Sequence, residues 1–197
     1  MRGRGTKHML YYGSAVLAGL LLGSASAWWA VGCGMRGGIQ CGAWRHYPDY
    51  GSTTANMYVR AQTQIAGPLA LDRSEAIYFI ADRDDRGELL RPGRNYRIEG
   101  GDLDARWWSI TAYGDDHHLI QNPLNRYSYS SASAAKNADG SWTIRLSNTE
   151  KPGNWIPTGD GRWFELFLRM YNPTPAVLED IGSVDVPRII QEDQSDE

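Results

Sequence analysis

Hydrophobic and polar positions follow three different rhythms along this chain. From Met9 to Val31, "MLYYGSAVLAGLLLGSASAWWAV", 23 residues pass without a charge. Between Tyr47 and Leu71 the spacing becomes helical, with Met57, Ala61 and Ile65 one turn apart. This predicts a helix over 54–66, capped by Ser52 or Thr53, stopped by Gly67-Pro68, and lying against the sheet that follows. From Ala76 the period is two. "AIYFIAD", "NYRIEG", "RWWSITAY", "SWTIRLS" and "RWFELFLRMY" read as strands. In them Trp108, Ile110, Ala112, Trp142, Ile144, Leu146, Phe164, Leu166, Leu168 and Met170 face one way, while Glu165 and Arg169 point out. "DRDDRGEL" reads as a charged hairpin tip with Gly87 at positive φ, and "NADG" as a turn. Clean alternation means one buried face per sheet, so the predicted fold is mainly β: an antiparallel β-sandwich with one short helix packed on it.

The uncharged run could reach roughly 35 Å as a helix, enough to cross a bilayer core. Arg2, Arg4 and Lys7 precede it, and the positive-inside rule keeps that basic tip cytoplasmic. Tyr11-Tyr12 and Trp28-Trp29 stand near its two ends like an aromatic belt. A retained single-pass anchor is the leading reading. Ala25-Ser26-Ala27 has the form of a signal-peptidase site, and "AVGC" loosely resembles a lipobox, so cleavage and lipidation stand as alternatives. Inside the run, Ala15, Gly19 and Gly23 form a small-x-x-x-small row suited to packing on another transmembrane helix, with Leu17 and Leu21 facing lipid.

Composition narrows the function. With 197 residues and 42% hydrophobic content, there is room for one domain with a core. A net charge of −3 and scattered arginines argue against a nucleic-acid partner. The 8 Trp and 11 Tyr suit sheet faces and wet, ligand-binding surfaces. Cys33 and Cys41 are the only cysteines; on the exported side of a membrane they are expected to close a small disulfide.

The stretches "EAIYF", "YRIEG", "DARWWSITAYG", "LIQNPLNRYS", "DGSWTI", "GNWIPTG" and "FELFLRMYNPTP", in this order, resemble the DUF1214 family over roughly residues 74–175. The resemblance implies a jelly-roll-like sandwich, in the single-domain, membrane-anchored proteobacterial architecture, and a DUF1254-type domain as companion. It implies no catalytic residues.

"DDHHLIQNP", Asp115 to Pro123, is the stretch that most invites a metal reading. His117 and His118 are adjacent, however, and on a strand would point to opposite faces. A polar turn is the preferred reading, with no metal and no cofactor expected. Asp84-Asp85 and Asp102-Asp104 read as solvated hairpin tips. "NPLNRYS" and "GNWIPTG" are two loops that could line a rim site from Trp107, Arg126, Tyr127, Asn154 and Trp155. The competing reading has Trp155 plugging the open end of the sandwich and Arg126 held structurally. No nucleophile elbow, P-loop or dinucleotide fingerprint appears in the exported part.

The expected organisation is a cytoplasmic tip over 1–8, an anchor over 9–32 and a connecting segment with the helix over 33–73. A sandwich follows over 74–180, then an acidic tail over 181–197. The expected function is a non-catalytic periplasmic binding or interaction module in the bacterial inner membrane, an accessory subunit working with another membrane protein. The alternative is a receptor or enzyme for a carbohydrate or amphipathic metabolite at the sandwich rim.

Overall fold

A computed structural model of the protein describes residues 3–32, 37–66 and 70–192. Helix α1 (Gly3–Gly32) is followed by β1 (Ile39–Cys41), β2 (Trp44–His46), α2 (Met57–Ala66), β3 (Ala76–Ala81), β4 (Asn95–Gly100) and β5 (Ala105–Gly114). Then come β6 (Ser128–Ser130), β7 (Trp142–Leu146), β8 (Asn154–Ile156), β9 (Phe164–Pro173), α3 (Pro175–Glu179), a 3-10 turn (Ile181–Ser183) and β10 (Arg188–Glu192). Within α1, His8–Gly32 is apolar and long enough to cross a membrane, and none of it is buried against the rest of the protein. An anchor and a signal sequence share that length and composition.

The strands form a six-stranded sheet, β1-β2-β3-β9-β5-β6, facing a four-stranded sheet, β10-β4-β7-β8. The inward positions of the alternating pattern are the core, with Ile77, Phe79, Trp108, Ile110, Leu166 and Leu168 meeting Tyr96, Ile98, Trp142, Ile144 and Ile189. Trp108 and Trp142 touch across the sandwich with ring centroids 4.5 Å apart, a contact worth ~0.5–1.5 kcal/mol beyond area burial. One pairing departs from the antiparallel expectation: β7 and β8 run parallel. β10 pairs with β4 along its whole length, so the sandwich reaches Glu192 and takes in residues read from sequence as acidic tail.

The outer face of the six-stranded sheet carries a second apolar cluster of Tyr50, Ala76, Tyr78 and Phe167. The connecting segment lies over it. The Leu71 amide donates to the Tyr78 hydroxyl at 2.8 Å. Gly51, at φ 77°, passes so near the Leu71 carbonyl that a Cβ would sit 2.3 Å from it.

Helix α2 corrects two expectations. Its N-terminal cap is Asn56, whose Oδ1 accepts from the amides of Tyr58 and Val59. Its buried positions are Val59 and Thr63, whereas Met57 and Ile65 are 74% and 63% exposed. The apolar stripe is therefore the exposed side of the helix.

Cys41 is a free thiol, turned inward, with Sγ 3.4 Å from the Ile181 carbonyl. Burial pushes the thiol up from its ordinary value, as does the charge of Asp180. The expected bond to Cys33 is not formed, because Cys41 faces the core beside the 3-10 turn; Cys33 itself lies outside the described residues.

Candidate functional site

The rim residues occupy two separate regions. Trp107 sits on the outer face of the six-stranded sheet against Tyr171, at 5.1 Å between centroids. Trp155 is 5% exposed, and its indole N–H donates to the Ser147 carbonyl at 2.9 Å. The Arg126 guanidinium lies over the Trp155 ring, 5.7 Å from its centroid. Tyr127 donates its hydroxyl to Asn125. Asn154 is spent inside the protein: Nδ2 donates to Ala135 O and Thr143 O, and Oδ1 accepts from the Ala135 amide. The structure thus brings Arg126 onto Trp155, with the polar atoms of Asn154 and Trp155 already used. This geometry leaves neither the Asn154 amide nor the Trp155 indole N–H open to a ligand.

"DDHH" is a turn. Gly114 and His118 close it through the Gly114 N–H to the His118 carbonyl, 2.9 Å. Asp115 pairs with Arg162 at 2.9 Å, Asp116 Oδ1 accepts from the His118 amide, and His118 Nδ1 lies 2.7 Å from the Asp116 carbonyl. Among the described residues no three His, Cys, Asp or Glu side chains converge as a metal site would need. His117 goes elsewhere. Its backbone is left-handed, φ 60°, which throws the ring across the sheet face to Glu165, Nδ1 to Oε1 2.6 Å. Trp163 stands edge-on to the imidazole.

Glu165 opens onto a cleft of about 550 Å³ that sequence reasoning did not find. Four regions wall it: the last turns of α1 (Trp28, Val31), α2 (Gln62, Ile65), the turn between β3 and β4 (Asp82 to Asp85), and the outer sheet face (Arg45, Ile80, Glu165, Phe167). Alternation explains the last group. Phe164 and Leu166 enter the core, so Glu165 and Phe167 on the same strand must face out. Burial raises the Glu165 carboxyl above the usual carboxylate range; the His117 hydrogen bond pulls the other way, and the nearby Asp82 charge adds to the rise.

Asp84 departs most from its sequence reading as a solvated charge, being only 2% exposed. Its Oδ1 accepts from the amides of Arg86 and Glu88, at 3.0 and 2.9 Å, and so shapes the hairpin tip. Its Oδ2 has no protein partner, and neither has Gln62 Oε1. Both residues line the cleft. Two buried acceptors without donors cost about 1–3 kcal/mol each unless something donates to them. The cleft lining therefore sets apolar side chains beside Asp84 and Gln62, each of which holds a buried acceptor without a donor.

None of the curated proteins matches the chain. A crystal structure of the VPA0106 protein from Vibrio parahaemolyticus is 26% identical, with a TM-score of 0.58, over 71% of this chain and 36% of that one. A putative uncharacterized protein from Burkholderia cenocepacia is 17% identical with a TM-score of 0.47, over 87% of this chain and 41% of that one. The chain spans well under half the length of either. The family model for a protein of unknown function, DUF1214, matches residues 75–175, from the start of β3 to the start of α3. That match takes in Asp84, His117 and Glu165 but not α1 or α2. With about half of its length matched, the chain belongs to the DUF1214 family.

Proposed function

We propose that this protein is a binding module held in the bacterial inner membrane by α1, with the sandwich in the periplasm. Its cleft takes a small amphipathic ligand whose head donates hydrogen bonds, such as an amine or a polyol. The observation that carries the reading is the pairing of Asp84 Oδ2 and Gln62 Oε1, buried acceptors without donors, with an apolar wall of Trp28, Ile65, Ile80 and Phe167. An ammonium or hydroxyl head satisfies the acceptors, and a short alkyl or ring portion covers the wall. A head with acceptors alone leaves Asp84 facing another acceptor and is rejected.

The test uses full-length protein in nanodiscs and three probes below their micellar concentrations: octylammonium, octyl glucoside and octyl sulfate. Octylammonium and octyl glucoside raise the midpoint of thermal unfolding, because a ligand that binds only the folded state stabilises it. Octyl sulfate does not, and Asp84→Asn abolishes the octylammonium response. Equal shifts from all three heads, or an unchanged response in Asp84→Asn, contradict the reading.

A second reading, as an accessory subunit beside another inner-membrane protein or a DUF1254-type companion, draws on α1. A Cβ at Gly19 or Gly23 would meet nothing within 4 Å, so the Ala15–Gly19–Gly23 row is open to a neighbouring helix. Gly19→Ile with Gly23→Ile then loses the co-purifying partner while leaving the sandwich folded.

A further inference from the structure

Apolar exposure on this protein is unevenly placed. Among the described residues outside α1, eight large hydrophobic residues are exposed, and five of them fall between Ile39 and Leu71, the segment that joins α1 to the sandwich: Ile39, Met57, Tyr58, Ile65 and Leu71. Three belong to α2. Residues three, four and seven apart share a helix face, so Met57, Ala61 and Ile65 make one continuous stripe with Tyr58 at its border. The opposite side, Val59 and Thr63, is buried. The helix MYVRAQTQIA holds no acid, and Arg60 is its one charge.

Position decides what covers the stripe. Helix α2 packs against α1. Ile65 lines the same cleft as Trp28 and Val31, so the C-terminal turn of α2 stands level with the last turns of α1. Trp28 and Trp29 there are strongly exposed, as indoles at a membrane–water boundary are. We infer that α2 is an interfacial helix whose Met57–Ala61–Ile65 stripe, bordered by Tyr58, seats in the boundary between headgroups and acyl chains of the membrane that α1 crosses. An apolar face, a tyrosine at its border and a lone arginine toward anionic headgroups suit that environment. The seat holds the mouth of the cleft at the bilayer surface, where amphipathic molecules concentrate.

The inference rests on the reading of α1 as a retained anchor, and the experiment separates the two. Full-length protein carrying Cys33→Ser, with Cys41 left buried, receives single cysteines at Met57, Ile65, Leu17 (within α1) or Ala138 (an exposed turn of the sandwich). Each is spin-labelled in bilayers of phosphatidylethanolamine and phosphatidylglycerol, and its collisions with oxygen and with a nickel chelate are measured. Labels at Met57 and Ile65 are expected to collide readily with oxygen, as at Leu17, and several-fold less with nickel than the label at Ala138. The sites are exposed, so labelling leaves the fold intact. Nickel collisions at Met57 and Ile65 equal to those at Ala138, with Leu17 in lipid, overturn the inference and leave the anchor standing. Exclusion of both reagents from α2 means that protein covers the stripe and overturns it equally. An aqueous Leu17 refutes the anchor and the inference together.

Discussion

His117 Nδ1 lies 2.6 Å from Glu165 Oε1, and a left-handed backbone at φ 60° is what holds the imidazole there. Only glycine adopts that conformation without steric cost. The turn therefore accepts local strain in exchange for a bond to a buried carboxylate. His117→Ala keeps the strain and loses the bond, whereas His117→Gly loses the bond and relieves the strain. Chemical denaturation should show His117→Ala destabilised by about 1–3 kcal/mol and His117→Gly by less. A milder effect for alanine than for glycine would contradict this account of the turn.

The same pair sets a pH dependence. Burial, opposed by His117 and reinforced by Asp82, raises the Glu165 carboxyl above its ordinary value. The folded protein then holds this proton more tightly than the unfolded chain. Its stabilising contribution is full below the ordinary carboxylate range, near about pH 4, and is lost as pH rises through the raised value. His46, which burial pushes down, contributes in the opposite sense at higher pH. The measurement is thus the stability of the wild type minus that of Glu165→Gln. That difference should decline as pH rises from 4 toward 7, and a steady increase would mean that the His117 hydrogen bond outweighs burial.

Much of the fold was legible because alternation is a local signal. β3, β4, β5, β7 and β9 fall where period two placed them, with the predicted residues inside. β1, β2, β6 and β8 are three residues each, too short to show a period. The helical stripe of α2 was legible as a stripe, but a stripe reports an apolar neighbour without saying which. The cleft was not legible. "DRDDRGEL" looks solvated, yet Asp84 is buried, and β10 meets the same turn, where the Asp85 amide donates to the Ile189 carbonyl. That contact joins residues about a hundred positions apart.

Asp84 has two separable roles, one per oxygen. Asp84→Ala removes the acceptor for the Arg86 and Glu88 amides and should cost about 1–3 kcal/mol of stability. Asp84→Asn keeps a carbonyl oxygen at the Oδ1 position and places an amide where Oδ2 stood. Its unfolding midpoint in the absence of probe should stay near that of the wild type. An asparagine variant as unstable as the alanine variant would show that the charge, rather than the acceptor, shapes the hairpin.

Asn154 ties β8 to Ala135 with two hydrogen bonds and to Thr143 of β7 with a third. Asn154→Ala leaves a buried amide and two carbonyls without partners. A loss on the order of 2–4 kcal/mol in chemical denaturation is expected. An effect below about 0.5 kcal/mol, the range of ordinary surface changes, would contradict this structural role.

The central claim is that the cleft between α1, α2 and the sheet holds a small amphipathic molecule. Native mass spectrometry of full-length protein released from nanodiscs, beside Ile80→Trp, tests it most directly. The larger side chain at Ile80 occupies the apolar wall on the outer face of the sheet, away from the cluster between the two sheets. The wild type should carry one bound molecule per chain, with the mass of an amphiphile bearing an amine or hydroxyl head, and Ile80→Trp should carry none. An empty wild type after exposure to octylammonium, or the same adduct on both proteins, would contradict the claim.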